Sequence, residues 1–331
     1  MNTKNNQINA SKNLGKLPTW DLKDLYPSQN DKSLNRDLNN IRDDSLKFEK
    51  KYLNKVKTLS ADNLYKAINQ LEQIDVLMDK VLSYAHLLVA EDGNNEKNKI
   101  FYQQMQEKIT KYASSIIFFT LELNQIPEKQ ISKLVKNQKL QIYKNWIINK
   151  RSFKPYQLDL KIEKILQDKS ITSHSAWIRL FDDIIASLKF PFKKEELTSA
   201  QIFNYMSDKN ESIRKLAAKS VGKVLGNNIK IFSTITNTLA KDKSINDSWR
   251  KLPTPVSARN LSNVVEDSVI DSLVSSVTEY YPKLSHRYYA LKAGWFKKKH
   301  LMYWDRNAPL PFQSSKIFFC MKTKNKVKNS Y

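Results

Sequence analysis

The chain has 331 residues and a formal net charge of +23, with 56 Lys and Arg against 33 Asp and Glu. A chain of this length buries about three quarters of the surface that its unfolded form exposes, so one large core or two smaller cores are expected. Five glycines, none in a phosphate-binding pattern, exclude a P-loop, and a single cysteine, Cys320, excludes an internal disulfide. Scarce glycine and plentiful aromatic residues favour a helical architecture.

The positive charge comes almost entirely from lysine and is spread along the chain. Arginine, whose planar fork recognises phosphates and bases, is scarce, so we interpret the charge as a solvated surface and keep nucleic-acid binding as an alternative. No apolar run reaches the 18 residues of a membrane span, and the first sixteen residues lack the apolar core of a secretory signal. With one cysteine, these features predict a cytoplasmic protein.

The first part of the chain predicts a tail, a strap and three long helices. Residues 1–16 carry too little apolar surface to fold and are predicted to be a disordered tail. A strap anchored by four large side chains follows, formed by Trp20, Leu22, Leu25 and Tyr26. Helical periodicity then covers 34–56, 64–89 and 95–123, with Ser60 as a cap and Gly93 as a left-handed helix end. These helices predict a bundle-like lobe, and a coiled-coil interaction arm is the alternative.

The stretch from Ser173 to Phe190 predicts the most amphipathic helix of the middle region. Its apolar stripe, expected to be buried, consists of Trp177, Leu180, Phe181, Ile184, Ile185 and Leu188. On the other side, Arg179 and Asp183 are spaced to form an i,i+4 ion pair. Alternating apolar and charged residues over 188–197 predict a short β-hairpin.

Helices are predicted over 212–225 and 227–244, and the prolines between Trp249 and Pro255 forbid helix. A long final helix is expected over 266–296. Pro309 and Pro311 then require an irregular segment, because they restrict the preceding residues to extended geometry.

Seven short motifs resemble, in the same order, those of the oligoendopeptidase F branch of the M3 zinc metallopeptidases. They are Asp24-Leu-Tyr-Pro27, Trp177-Ile-Arg-Leu-Phe-Asp-Asp183, Asp208-Lys-Asn210 with Arg214, Asn237-Thr-Leu-Ala-Lys-Asp-Lys243, Arg259-Asn-Leu-Ser-Asn263, Tyr288-Tyr-Ala-Leu-Lys292 and Trp304-Asp-Arg-Asn-Ala-Pro-Leu-Pro311. The resemblance extends from Leu17 to Phe312.

The resemblance implies a mainly α fold, a multi-helix lobe like the N-terminal part of the two-lobed, zincin-like M3 peptidase. It implies an N-terminal long-helix region over 17–112, an oligopeptidase F N-terminal-type domain over 113–190 and the start of the peptidase domain over 198–312. Residues 313–331 depart from the family pattern and are interpreted as a divergent tail.

Members of this family hydrolyse short peptides with a zinc ion held by a His-Glu-x-x-His helix, in which two histidines one turn apart face the same metal. The four histidines here, His86, His174, His286 and His300, are never closer than fourteen residues, and none is followed by Glu. We therefore predict no catalytic, cofactor-binding or metal-ligating residue in this chain, with zinc a property of the full-length family.

Each histidine has a structural interpretation. His86 is expected to be a packed or snorkelling residue of its helix, His174 to lie near a helix start, and His300 to be exposed. His286, among tyrosines, is the one candidate to line a peptide channel. Cys320 has no neighbouring base that would activate it as a nucleophile.

The sequence thus predicts a truncated oligoendopeptidase F-like protein that is inactive alone. The family implies oligopeptides as substrates, and an exposed apolar interface predicts self-association. In the main alternative, the lobe complements a separately encoded catalytic half.

Overall fold

The computed structural model describes residues 20–312 and is mainly helical, as predicted. The α-helices are α1 (Lys32–Tyr52), α2 (Ala61–Glu91), α3 (Glu96–Ile116), α4 (Phe118–Gln125), α5 (Glu128–Leu134), α6 (Lys144–Arg151), α7 (Leu160–Lys169), α8 (His174–Ser187), α9 (Ser199–Tyr205), α10 (Glu211–Asn227), α11 (Ile229–Arg250), α12 (Ser257–Ser262), α13 (Asp267–Tyr280) and α14 (Arg287–Trp295). Two strands, β1 (Phe190–Phe192) and β2 (Glu195–Leu197), lie between α8 and α9. Short 3₁₀ turns occupy Val56–Thr58, Leu140–Tyr143, Lys154–Tyr156 and Tyr303–Asp305. The predicted tails over 1–16 and 313–331 lie outside the described residues.

The main core is built by α1, α2 and α3, which pack on one another as a bundle. Each helix begins at a side-chain cap that accepts a hydrogen bond from a first-turn N–H: Asp31, Ser60 and Asn95. One cluster of buried side chains, which we call the main core, extends from Tyr26 to Ile147. Phe48 lies at its centre against Tyr52, Phe118 and Phe119, with ring centroids 4.9 to 5.9 Å apart.

Of the four predicted anchors of the strap before α1, Tyr26 is the one that is fully buried. Tyr26 is buried, and its hydroxyl donates to Asp37 Oδ2 at 2.9 Å. Leu22 and Leu25 pack partly against the main core. Trp20 was predicted to be an anchor, but it is 56% exposed because no described residue covers it.

Two helix ends differ from the prediction. The third long helix is broken at Ile117 into α3 and α4, and both parts contribute to the main core. After α2, Gly93 does not adopt the left-handed conformation, since its φ lies outside that region. The helix instead ends at Asp92 in an extended conformation.

The predicted β-hairpin is confirmed, and a second, smaller core lies beneath it. Strands β1 and β2 pair antiparallel with Phe190 opposite Leu197, and Lys193 in the turn has a φ of 58°. Their inward side chains pack against α9 and α10, forming a cluster of Phe190, Phe192, Leu197, Ile202, Ala217 and Val221.

The predicted burial of the α8 stripe is wrong. No residue of α8 is buried, and Ile178, Leu180 and Phe181 are more than one third exposed. Its principal apolar contact is with α11, where the Phe181 and Phe232 rings lie 5.7 Å apart. One neighbouring helix covers only part of a stripe this wide.

The last third differs from the predicted pattern at two points. Helix α11 continues to Arg250 and ends where Lys251 turns left-handed, so helix includes Trp249. The predicted single helix over 266–296 is interrupted at Pro282, which cannot donate a helical hydrogen bond, and Pro282–His286 forms a π-helical turn between α13 and α14.

No helix within residues 20–312 combines the length and apolarity needed to cross a membrane.

Candidate functional site

The segment after α14 is attached to α10 by a buried arginine. Arg214 is 1% exposed, and its Nη2 donates to Asp305 Oδ1 at 2.6 Å. Its Nε donates to the Trp304 carbonyl at 3.1 Å, and its Nη1 to the carbonyls of Asp208 and Lys209. A buried guanidinium is tolerated only when its donors are satisfied in this way.

Asp305 is the centre of this arrangement and is fully buried. Its second oxygen accepts from Lys298 Nζ at 2.7 Å, and Lys298 also contacts Glu211 at 2.6 Å. Burial alone would raise the pKa of Asp305, but the hydrogen bonds from Lys298 and Arg214 outweigh it and hold the pKa below its usual range. We call Arg214, Lys298 and Asp305 the latch. Asp305 stays ionised and fully paired, so it serves structure and not proton transfer.

Two further contacts fix the segment that contains Pro309 and Pro311. Lys292 is 2% exposed and donates to the Arg306 carbonyl at 2.7 Å, with its pKa lowered by burial and by Arg214. Ala308 is buried as well. The motif that the sequence identified at Trp304 to Pro311 is therefore bound firmly to α10 and α14, the helices that also carry motif residues.

Helix α13 presents an apolar side to solvent. Its apolar side chains are about half exposed, from 45% for Val277 to 58% for Leu273 and Val274, with Val269 at 50%. Helix α13 has no buried residue. We call Val269, Leu273, Val274 and Val277 the open face. A contiguous apolar surface of this kind marks an interaction site.

Exposed aromatic side chains continue this surface at the end of α13 and beyond it. Tyr280, Tyr281, Tyr288, Tyr289 and Trp295 are all at least 40% exposed. His286, the predicted channel candidate, is exposed among them, with its ring 6.4 Å from that of Tyr281. His300 is exposed, as predicted.

Sequence spacing does not reveal that the other two histidines share one cavity. His86 on α2 and His174 on α8 both line a pocket of about 480 Å³ between α2, α3 and α8. We call it the three-helix pocket. His86 lies beside Tyr102, with ring centroids 5.6 Å apart. Both histidines are exposed, so His86 borders a cavity and is not a buried residue of its helix.

The predicted pair between Arg179 and Asp183 is wrong. Asp183 instead contacts Lys99 Nζ at 3.0 Å, and Arg179 donates to Gln106 Oε1 and to the Ile171 carbonyl. Two of these partners, Lys99 and Gln106, lie on α3. They meet α8 through helix packing, so the sequence of α8 alone does not reveal them. Asp182 lines the same pocket, and its pKa is raised by burial and then by Asp183, while His86 acts in the opposite direction.

The residues between 20 and 312 do not fit the zinc site implied by the family. Within that range no three His, Cys, Asp or Glu side chains are grouped so as to hold a metal ion. Cys320 lies outside the described residues. No reaction step is derived from a metal in this chain.

The chain is similar to known proteins over most of its length. A family model described as Oligopeptidase F matches residues 122–190. Oligopeptidase PepF of Bacillus subtilis (strain 168) is 25% identical over 320 residues, which cover 93% of this chain and 46% of that protein.

Solved structures share the fold. Oligoendopeptidase-F from Enterococcus faecium superposes with a TM-score of 0.74 at 21% identity, over 84% of this chain and 56% of that one. A putative oligoendopeptidase F from Bacillus anthracis str. Ames gives a TM-score of 0.56 at 14% identity, over 90% and 49%. The chain spans about half the length of the relatives it matches.

Proposed function

We propose that this chain, which is similar to oligoendopeptidase F, forms the non-catalytic helical lobe of a peptidase that hydrolyses oligopeptides. The zinc ligands and the catalytic acid/base groups of that peptidase belong to a catalytic half supplied by another polypeptide segment. The chain by itself binds no stoichiometric zinc and cleaves no peptide. The role of the chain is to bind the catalytic half and to enclose the substrate.

The observation that carries this proposal is the open face. Val274 and Leu273 expose more than half of their surface on a regular helix whose amphipathic pattern is typical of a packed one. Fully burying an exposed Val or Leu side chain contributes about 1.5–3 kcal/mol, and since these four are already about half buried, covering each contributes about half as much. The four together still favour association.

The latch supports the same proposal because it is buried and fully paired. A buried ion network with every group satisfied rigidifies its surroundings. It holds the Trp304 to Pro311 segment in one place, so the chain beyond α14 leaves the lobe at a defined position. The occupant we propose for the open face is the catalytic half of an oligoendopeptidase F-type protein, and a second copy of this chain is the competing outcome.

The finer parts of the proposal concern organisation and location. We place a division between a long-helix region over 17–112 and a domain over 113–190, with the start of a peptidase domain over 198–312. A cytoplasmic location is supported by the presence of a single cysteine in 331 residues. Oligopeptides are the proposed substrates because the relatives' names describe oligopeptidases.

The experiment compares the chain alone with the chain plus the part of the Bacillus subtilis relative that it does not match. A quenched fluorescent oligopeptide reports hydrolysis, and metal analysis reports zinc per chain. We expect neither zinc nor turnover for the chain alone, and turnover that rises to saturation at an equimolar ratio of the two halves. Turnover by the chain alone contradicts the proposal, and so does a mixture in which sedimentation detects no complex.

A further inference from the structure

The three-helix pocket holds one carboxylate without a direct partner. Asp182 accepts no hydrogen bond and forms no ion pair with any residue between 20 and 312, although it lines a cavity of about 480 Å³. Two of the other charged groups pair with each other, since Lys99 lies 3.0 Å from Asp183, and Lys99 also lies 3.0 Å from Glu96. Asp182 and Arg179 are then left without an ion-pair partner among the described residues, because Arg179 contacts only neutral acceptors, so the carboxylate favours a cationic ligand group and the guanidinium favours an oxygen acceptor.

The wall beside Asp182 is suited to an ammonium group. Tyr102 and Asp182 both line this pocket. Burial raises the pKa of the Tyr102 hydroxyl, Arg179 lowers it and the charge of Asp182 raises it, so both charged groups act on this hydroxyl. The imidazole of His86 also lies beside this ring, with centroids 5.6 Å apart, and it lowers the pKa of Asp182. An aromatic face beside a carboxylate attracts a cation through both the ring quadrupole and the charge.

One turn earlier on α8, Arg179 offers donors for the adjoining part of a ligand. Its two terminal nitrogens are each held by one acceptor, the Gln106 amide oxygen at 3.3 Å and the Ile171 carbonyl at 3.1 Å. A guanidinium has five N–H donors, so those not used by these two bonds remain for a carbonyl oxygen. Arg179 and Asp182 stand three residues apart on one helix, so a donor group and an acceptor group lie side by side at the pocket wall.

The volume and the remaining lining fit a short peptide. Small-molecule sites commonly measure about 300–1,000 Å³, with apolar walls and a few polar groups that orient the ligand. Val89 and Ile178 supply apolar wall here, and the Gln103 and Gln106 amides lie along α3. A simple amine uses Asp182 and leaves the donors of Arg179 unused, whereas the end of a peptide uses both.

We propose that the three-helix pocket binds the amino-terminal end of an oligopeptide, with the α-ammonium group on Asp182 against Tyr102 and the first peptide carbonyl on Arg179. The choice of a peptide as ligand rests on the proposed function. The pocket itself is formed entirely by α2, α3 and α8, so its binding is measured on this chain alone, without a catalytic half.

The test is the affinity of the full chain for two versions of one alanine-rich heptapeptide, each with a fluorophore at its carboxyl end. One version has a free amino terminus and the other is acetylated. The ion pair with Asp182 positions the ammonium group against Tyr102, so the two contacts form together, and we expect the free peptide to bind about five- to thirtyfold more tightly. In Asp182→Asn the two versions are expected to bind equally, and in Arg179→Gln both bind more weakly.

The matched control is Asp168→Asn on α7, an exposed carboxylate outside the pocket that changes the net charge by the same amount. It is expected to retain the preference for the free terminus, and circular dichroism checks that each variant is folded. Equal binding of the two peptides to the unmodified chain overturns the proposal, as does a preference that survives Asp182→Asn. Displacement of the peptide by a linear diamine at the same concentration as by unlabelled peptide overturns the peptide assignment.

Failure of this test and failure of the proposed function are separable. Turnover by the mixed halves with no amino-terminal preference refutes only the pocket assignment. A preference abolished by Asp182→Asn, without association of the halves, refutes only the proposed role as a lobe.

Discussion

The main core and the open face have the same kind of sequence pattern but opposite surroundings. On α2, Leu64 and Val81 are fully buried, because α1 and α3 lie against that helix. On α13, Val269, Leu273 and Val277 also recur at helical spacing, yet they are 45–58% exposed. Periodicity thus predicts that a helix has a side to be covered, and the neighbouring elements decide whether it is covered within the chain.

The comparison extends to the distribution of exposed apolar side chains. Within residues 20–312, those before Leu160 are few and scattered: Trp20, Leu46, Val76, Ile100, Ile142 and Ile148. After Leu160 they are numerous and lie on consecutive helices, above all α11, α13 and α14. Single exposed apolar residues are normal in a folded protein, whereas a contiguous set is typical of an interface. The second half of the described chain is therefore where a partner is expected.

The largest expected effect comes from removing matched apolar side chains in the two regions. Phe48→Ala deletes a fully buried ring that touches three other rings, and we expect a loss of about 3–5 kcal/mol in the free energy of unfolding. Leu273→Ala on the open face is expected to change it by less than about 0.5 kcal/mol. Urea denaturation measures both. Equal losses would mean that the open face is covered in solution by the chain itself or by a second copy.

The next effect concerns the latch, the well-packed feature of the second region. Arg214→Ala removes a buried cation and leaves Asp305 with Lys298 as its remaining side-chain partner, so we expect a loss of about 3 kcal/mol. Arg36→Ala is the control, since Arg36 is itself 71% exposed and lies 3.7 Å from Asp37, and an ion pair made by a solvent-exposed arginine contributes about 0–1 kcal/mol. Thermal denaturation of the two variants measures the loss of stability caused by each substitution. A loss for Arg214→Ala no greater than for Arg36→Ala would show that the latch does not hold the segment.

The smallest effect is a pH dependence in the first region. Burial, together with the nearby charge of Asp79, raises the pKa of Asp75 to about 6. The folded state therefore binds a proton more tightly than the unfolded state does, so this carboxyl lowers stability as pH rises from about 4 to about 6. Asp75→Asn removes that cost.

We expect Asp75→Asn to raise the unfolding free energy at pH 7.5 and to leave it unchanged at pH 3.5. The residue keeps contact with solvent, which screens the effect, so the gain is expected to be about 0.5 kcal/mol or less. Urea denaturation at the two pH values measures it. A stabilisation of equal size at both would assign the effect to packing and not to ionisation.

Local signals in the sequence predicted most of the helices and the hairpin. Caps such as Ser60 and Asn95, and the alternation around Phe190 and Phe192, act within a few residues and are visible in any single chain. Pro282 is also a local signal, but a proline within a strong apolar pattern predicts either a break or a kink in the helix. The π-helical turn at Pro282–His286 interrupts the regular α-helix while the chain remains helical.

The candidate sites depended on contacts between distant segments, which no local pattern contains. Arg214 and Asp305 are 91 residues apart in sequence, and Lys99 pairs with Asp183 across two helices. His86 and His174 were assigned separate structural roles because the docking of α8 on α2 and α3 could not be deduced from spacing. The family resemblance located the important segments without indicating which side chains meet.

The measurement that tests the central claim most directly uses two valine variants with the same chemistry in the two regions. Val274 on the open face is 58% exposed and Val76 on α2 is 60% exposed, so a change to Asp alters the surface equally at either position. Sedimentation equilibrium then measures the affinity of each variant for the catalytic half of the Bacillus subtilis relative. We expect Val76→Asp to bind as the unmodified chain does and Val274→Asp to bind at least about tenfold more weakly, because a charge is buried in the interface. Equal affinity of the two variants, or no binding by the unmodified chain, would contradict the assignment of the open face to a catalytic half.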